Sequence, residues 1–267
     1  MGRVGFDQLE RNLRHTLSLL AAHAPEGEVR QLPGISIACA SSPCPMFNAA
    51  LLSAAICRGP QELAQRVALA ALHYKMRGRD WSFWLWDDWM DSRTRRRAPD
   101  VLADHGLRFA IQLPGMLASS LRPSLWRLPE LEVRLVDDLD GVAAFCGVGA
   151  TCFNLPMPWF RAVYGSIELF RDGYTGYVGY VDQEPIGTMA VVFNAGGHGV
   201  YGLATLPGHQ RSGYAEALLR RVLDDSSRIH GGAPTLLQAT PQGLSLYLRL
   251  GYEVVSNLSI YTFTGNQ

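Results

Sequence analysis

Residues 203 to 223, LATLPGHQRSGYAEALLRRVL, constrain the fold more than any other stretch of this 267-residue chain. A short apolar run meets Pro207 and a polar loop containing Gly213. Apolar residues then recur at helical spacing, at Ala215, Leu218, Leu219, Val222, Leu223 and Ile229, with Glu216, Arg220, Arg221, Asp224 and Asp225 between them. The pattern predicts a helix that starts close to Gly213. The first N–H groups of a helix have no intrahelical acceptor, and its aligned dipoles put partial positive charge at that end. The segment therefore reads as an anion site that suits a phosphate without any lysine, and Gly213 lets the backbone approach the ligand closely.

The surroundings extend the pattern. TLLQATP (235–241) reads as a buried strand, GLSLYLRLGY (243–252) as a short helix ending at Gly251, and YEVVSNLSIYTF as a last strand. Upstream, TGYVGYVDQEPIGTMAVVFN gives two strands joined at Asp182 to Pro185, and HGVYGLATL a third. LEVRLVDD is a further strand, followed by helices near 138–147 and 157–170. The order over 131–267 is β-α-α-β-β-β-α-β-α-β.

Gln210-Arg211-Ser212-Gly213-Tyr214-Ala215 is similar to the Q/R-x-x-G-x-G/A loop of the GCN5-related N-acetyltransferases (GNAT), and the element order resembles that family's. Tyr247-Leu248-Arg249-Leu250-Gly251-Tyr252 resembles its Y-x-x-x-G-F/Y motif. The resemblance implies an α/β (α+β) fold with a mixed, mostly antiparallel sheet flanked by helices. It also implies that residues 210–215 hold the pyrophosphate of acetyl-coenzyme A. Two parallel strands then splay near a bulge to admit the pantetheine arm along Thr205 and Leu206, and a backbone N–H near Leu206 polarises the thioester oxygen. Tyr247 protonates the leaving thiolate, a role suited to an acid with a reference pKa of about 10. The alternative for Tyr247 is a core aromatic with its hydroxyl at the surface.

One departure from the family stands out. Many members carry a glutamate early in the strand before the pyrophosphate loop, whereas this chain has no carboxylate from 198 to 206. Either the base comes from elsewhere, with Glu168 on the second helix a candidate, or the acceptor amine needs none. His198, flanked by glycines, reads as part of a hairpin tip. Gly197-His198-Gly199-Val200-Tyr201-Gly202 formally satisfies G-x-G-x-x-G, but a strand-like segment follows it where a dinucleotide fold requires a helix.

The first half has a pattern of its own. Phe6, Leu9, Leu13, Leu17 and Leu20 mark an amphipathic helix, and residues 60–77 form another, opened by Pro60 and closed by Gly78. WSFWLW is apolar on both faces, as in a strand covered from both sides, so core packing is the preferred reading of its aromatics over a ligand wall. A helix from Pro99 to Gly106 and the strand LRFAIQLPGM then repeat the helix-glycine-strand order of 243–263, with Leu102 in the place of Tyr247. This resembles tandem GNAT proteins in which the N-terminal copy is degenerate. The expected domains are 1–128 and 129–267, joined by a proline-bearing linker in which Leu125 and Trp126 suggest packing on something.

The remaining features exclude more than they suggest. Asp87-Asp88 has no His or Cys at ligand spacing, so no metal is expected, and Arg93 to Arg97 read as a solvated basic run. With 24 basic and 24 acidic residues the chain has no field for nucleic acid. Five cysteines without a C-x-x-C pair point to no disulfide framework, and no signal pattern or membrane span is read. The expectation is a cytoplasmic acetyl-CoA-dependent N-acetyltransferase, monomer or homodimer, acting on a small-molecule or peptide amine. A coenzyme-binding module without transfer activity and a GNAT fold serving only as an interaction partner are the alternatives.

Overall fold

The computed structural model describes residues 2–265. Eleven strands form one sheet: β1 (Glu28–Leu32), β2 (Ile35–Cys39), β3 (Asn48–Leu52), β4 (Trp81–Trp86), β5 (Arg108–Ala118), β6 (Glu132–Leu135), β7 (Thr175–Val181), β8 (Glu184–Asn194), β9 (Gly197–Thr205), β10 (Thr235–Gln238) and β11 (Glu253–Phe263). Their spatial order is β1-β2-β3-β4-β11-β5-β10-β9-β8-β7-β6. The neighbours β3/β4 and β9/β10 are parallel, and the rest are antiparallel.

Eight helices cover the sheet: α1 (Gly2–His23), α2 (Pro60–Lys75), α3 (Ser92–Ala103), α4 (Leu139–Cys152), α5 (Met157–Tyr164), α6 (Ile167–Arg171), α7 (Tyr214–His230) and α8 (Leu244–Leu250). One face carries α1 in the middle with α4, α5 and α6 beside it, over a single core that runs through both halves of the chain. The other face carries two separate pairs, α2 with α3 and α7 with α8, each over its own core. WSFWLW shows why the sheet needs both layers. Trp81, Phe83 and Leu85 enter the α2/α3 core, and Trp84 and Trp86 enter the α1 core. These buried aromatics are packing.

The repeat in the sequence is visible as a repeat in space. Each parallel pair is followed by the same parts: a helix after its first strand (α2, α7), a helix after its second (α3, α8), a left-handed glycine (Gly106 at φ +77°, Gly251 at φ +95°) and a long strand (β5, β11). The two long strands then cross over. β11 lies between β4 and β5, and β5 lies between β11 and β10, so a division near residue 128 is one of sequence and not of the sheet. Leu102, at the position that matches Tyr247, is fully buried.

Several elements differ from the sequence reading, each for a local reason. The helix expected to open at Pro99 starts at Ser92, where the Asp91 carboxylate accepts the Thr94 N–H at 2.7 Å, and Pro99 sits inside it. The basic run at 93–97 is therefore helical. The helix expected over 157–170 is two, α5 and α6, interrupted at Gly165 and Ser166. Ile229 is exposed, so the apolar face of α7 ends at Leu223, after Leu218, Leu219 and Val222. Burying each of those side chains contributes about 1.5–3 kcal/mol and holds the helix on the sheet.

Candidate active site

Strands β9 and β10 pair only where they begin, at His198↔Thr235 and Gly199↔Leu236. Past Gly199, β9 has no partner on that side, and past Pro114, whose carbonyl accepts the Ala239 N–H at 2.9 Å, β5 has none on its side facing β10. With β10 ended, β9 and β5 stand two strand spacings apart, about 9–10 Å, and both edges facing the cleft keep unpaired backbone groups. A bulge lies within the unpaired stretch: β9 places two residues, Gly202 and Leu203, opposite the single Met189 of β8. Gly202 takes φ +59°, and Thr188 Oγ1 donates to its carbonyl at 2.9 Å.

The end of β9 fixes which amide faces the cleft. The Leu206 N–H donates to Ile186 O at 2.8 Å, so it is spent on β8. Successive amides of an extended strand point to opposite sides, which turns the Thr205 N–H toward the cleft. The Thr205 carbonyl accepts from Gln210 Nε2 at 3.0 Å, and its buried Oγ1 has no protein partner. Gln210 thus ties its side-chain amide to the strand end.

From Thr205 the chain makes a single 3-10 turn, Pro207–His209, then reverses through Arg211 (φ +59°) and Gly213 (φ +89°) into α7. Ser212 Oγ donates to Gln210 O, and Tyr214 stacks edgewise on His209. The backbone N–H groups of residues 211 to 216, including Ala215, have no acceptor among the described residues. Six such donors, three on the loop and three in the first turn of a 17-residue helix at its positive end, suit a diphosphate.

Tyr247 lies on α8, just after β10. It is only 8% exposed, and its ring packs on Gly243 and edgewise on Tyr252. Burial pushes its hydroxyl well above the ordinary value of 10, so it stays protonated. Glu168 is not brought to the cleft. It is exposed on α6, paired with Arg171 at 3.0 Å, and α6 packs on α1 and β7. His198 is fully buried at the closed end of β9, its Nδ1 2.8 Å from Ser226 Oγ and its Nε2 3.1 Å from Gly231 O, which makes it a tie between β9 and α7.

Three features of the site lay outside the sequence reading. Glu216, buried in the first turn of α7, accepts from Arg220 at 2.9 Å and from Arg249 of α8 at 3.0 Å. Asn12 of α1 is fully buried, donates to Val192 O at 2.9 Å and Asn194 O at 3.2 Å, and accepts from Tyr201 Oη at 2.7 Å, beside the bulge. The N-terminal copy also fills its own helix start. Glu62 of α2 accepts the N–H groups of Cys57 (2.8 Å) and Arg58 (2.7 Å) and pairs with Arg66. Burial alone raises the Glu62 pKa, but these donors outweigh it and hold the carboxyl below 4.5. A carboxylate of the chain thus occupies the place that corresponds to the open amides of α7. Its strands β3 and β4 also stay paired over Ala49–Leu51, through all but the end residues of the five-residue β3.

Among the described residues no group of three or more His, Cys, Asp or Glu side chains is placed to hold a metal, and no helix is long and apolar enough to cross a membrane. Asp88 accepts from Ser256 Oγ, and the Asp87 carbonyl accepts from Arg95, so this acidic pair is tied into the turn after β4.

The sheet is thus mixed and opens between two parallel strands, with the bare helix start of α7 behind the opening. Residues 172–254 match the family model of the acetyltransferase (GNAT) domain. The whole chain is similar in structure to a GCN5-related N-acetyltransferase from Kribbella flavida, with TM-score 0.72 at 15% identity over 100% of this chain and 97% of that one. It is also similar to a functionally unknown conserved protein from Staphylococcus epidermidis (TM-score 0.62, 12% identity, 90% and 94% covered). A tandem GNAT protein from the clavulanic acid biosynthesis pathway matches with TM-score 0.52 at 11% identity, over 98% and 97% of the two chains. No curated protein sequence matches the chain. The match to the GNAT domain model thus lies within the C-terminal half, and the chain as a whole shares the fold of these structures.

Proposed function

We propose that the protein is an N-acetyltransferase that moves an acetyl group from acetyl-CoA to a primary amine by direct attack, using the C-terminal copy alone. The observation that carries this reading is the pairing of the β9/β10 opening with six unsatisfied amides at the start of α7. In the other copy the strands stay paired over Ala49–Leu51 and Glu62 fills the helix start. Bound acetyl-CoA supplies the activated thioester.

In this reading the amides of 211–216 and the glycine at 213 bind the diphosphate, while Gln210 braces the strand end from which the Thr205 N–H donates to the acyl oxygen. That donor stabilises negative charge as it develops, and the narrow cleft aligns amine and carbonyl. Tyr247 holds a proton for the departing sulfur. No carboxylate of β9 is available to deprotonate an ammonium, which favours an acceptor that is already neutral near pH 7; the proton its nitrogen sheds on forming the amide replaces the one that Tyr247 gives to the sulfur. The free edge of β5 makes the N-terminal half one wall of the same cleft.

The test is thiol release from acetyl-CoA with a panel of amines, for wild type and Tyr247→Phe. Transfer to at least one amine, with kcat lowered about 10²-fold or more in the variant and the coenzyme Kd unchanged, is the expected result. Tight coenzyme binding without transfer to any amine would favour the non-catalytic binding module.

A further inference from the structure

We propose that the linker between the two halves builds the nucleotide end of the coenzyme site, with the Trp126 indole stacking on the purine. This rests on the reading of the α7 start as the pyrophosphate site. The segment after β5 runs along α8 and then round the N-terminus of α7 to β6. It is held at its two ends. The Arg122 N–H donates to Leu250 O at 2.9 Å, Arg220 Nη2 donates to Arg122 O at 2.6 Å, and Ser124 Oγ donates to Trp126 O at 2.8 Å. At its far end Pro129 closes on the loop, its Cδ 3.0 Å from where a Cβ on Gly213 would stand.

Between these anchors the Trp126 ring is held by the Arg249 guanidinium, 4.7 Å from its centroid, while 48% of the residue stays exposed. Arg249 is fixed in turn by Glu216, in the first turn of α7. The indole is therefore one ion pair away from the open amides. A rigid aromatic surface with one face on a cation and the rest open is what base stacking uses. The cleft, where the acyl group reacts, adjoins the loop at Thr205, and the linker adjoins it at Gly213. A coenzyme with its acyl end in the cleft and its diphosphate on the loop thus brings its nucleoside to the linker.

Calorimetry on the full chain would compare wild type, Trp126→Ala and Trp126→Phe, each with CoA, adenosine 3′,5′-bisphosphate and S-acetylpantetheine. Trp126→Ala is expected to weaken CoA and the bisphosphate about tenfold, the scale of one base stack. Trp126→Phe should keep most of the affinity, and S-acetylpantetheine should bind all three proteins alike. CoA should also quench tryptophan emission in wild type and not in Trp126→Ala. Unchanged CoA affinity in Trp126→Ala, or an equal loss for S-acetylpantetheine, would overturn the stacking role while leaving the coenzyme site standing. Wild type that binds none of the three would overturn both.

Discussion

Asn12→Ala tests whether the N-terminal helix holds the C-terminal half of the sheet. The side chain is fully buried and joins α1 to two carbonyls of β8 and to the Tyr201 hydroxyl, one residue before the bulge. Its removal leaves the Tyr201 hydroxyl without an acceptor, at about 1–3 kcal/mol, and loses hydrogen bonds with a net value of about 1 kcal/mol. The expected loss is therefore about 2–4 kcal/mol, or roughly 5–15 °C in melting temperature for a chain of this size. Tyr201→Phe leaves only Asn12 Oδ1 unpaired and should cost about 1–2 kcal/mol. Urea unfolding of both single variants and the double variant gives the coupling. The double should cost less than the sum by at least about 0.5 kcal/mol, because the second substitution removes a group already orphaned by the first. Strict additivity, or an Asn12→Ala loss under about 0.5 kcal/mol as at a surface site, would refute the idea that α1 supports the bulge.

Other consequences follow from the buried charges. Glu62→Ala strips the acceptor from two amides and from the Arg66 guanidinium, so it should cost about 3 kcal/mol in denaturant unfolding while leaving acetyl-CoA affinity unchanged. Affinity that falls in step with stability would mean that the N-terminal helix start takes part in coenzyme binding. Acid should unfold the protein in two stages. Burial lowers the pKa values of His15, His73 and His198 below 6.5, so the stability they contribute is full above that pH and is lost as the pH falls beneath it. Glu62 and Glu216, lowered from 4.5 by donors that outweigh their burial, add a second loss below that value. Glu10 and Asp87, raised by burial, act in the opposite sense. A melting temperature that stays flat from pH 7 to pH 5 would contradict the histidine part.

The sequence carried the local grammar of the fold well. Gly213 before an apolar stripe, Tyr247 four residues before Gly251, and the two-sided WSFWLW run each translate directly into an element, because helix starts, glycine stops and strand faces are set by neighbours in the chain. Long-range facts had no such signal. Nothing in β5 or β11 says that each inserts beside the other half, since a strand's edge partners leave no period in its sequence. Asn12 sits on the α1 face next to the apolar stripe and looks like a solvated position until β8 and β9 meet it. Glu62 follows Pro60 as an ordinary first-turn acid, and only its contacts with Cys57 and Arg58 turn it into the occupant of its own helix start. Which amide near Leu206 faces the cleft had no signal in the sequence, because strand alternation could be phased only once the partner of Leu206, Ile186 on β8, was known.

The central claim is that the open start of α7 binds the coenzyme diphosphate, and calorimetric titration of acetyl-CoA into wild type and Gly213→Glu tests it most directly. Gly213 holds a left-handed conformation against Pro129, and a glutamate there places a carboxylate among the amides of 211–216. Wild type should bind one equivalent with a Kd on the order of micromolar, about −8 kcal/mol. The variant, still folded by circular dichroism, should show no measurable heat. Absence of binding by wild type, or equal binding by both proteins, would contradict the account.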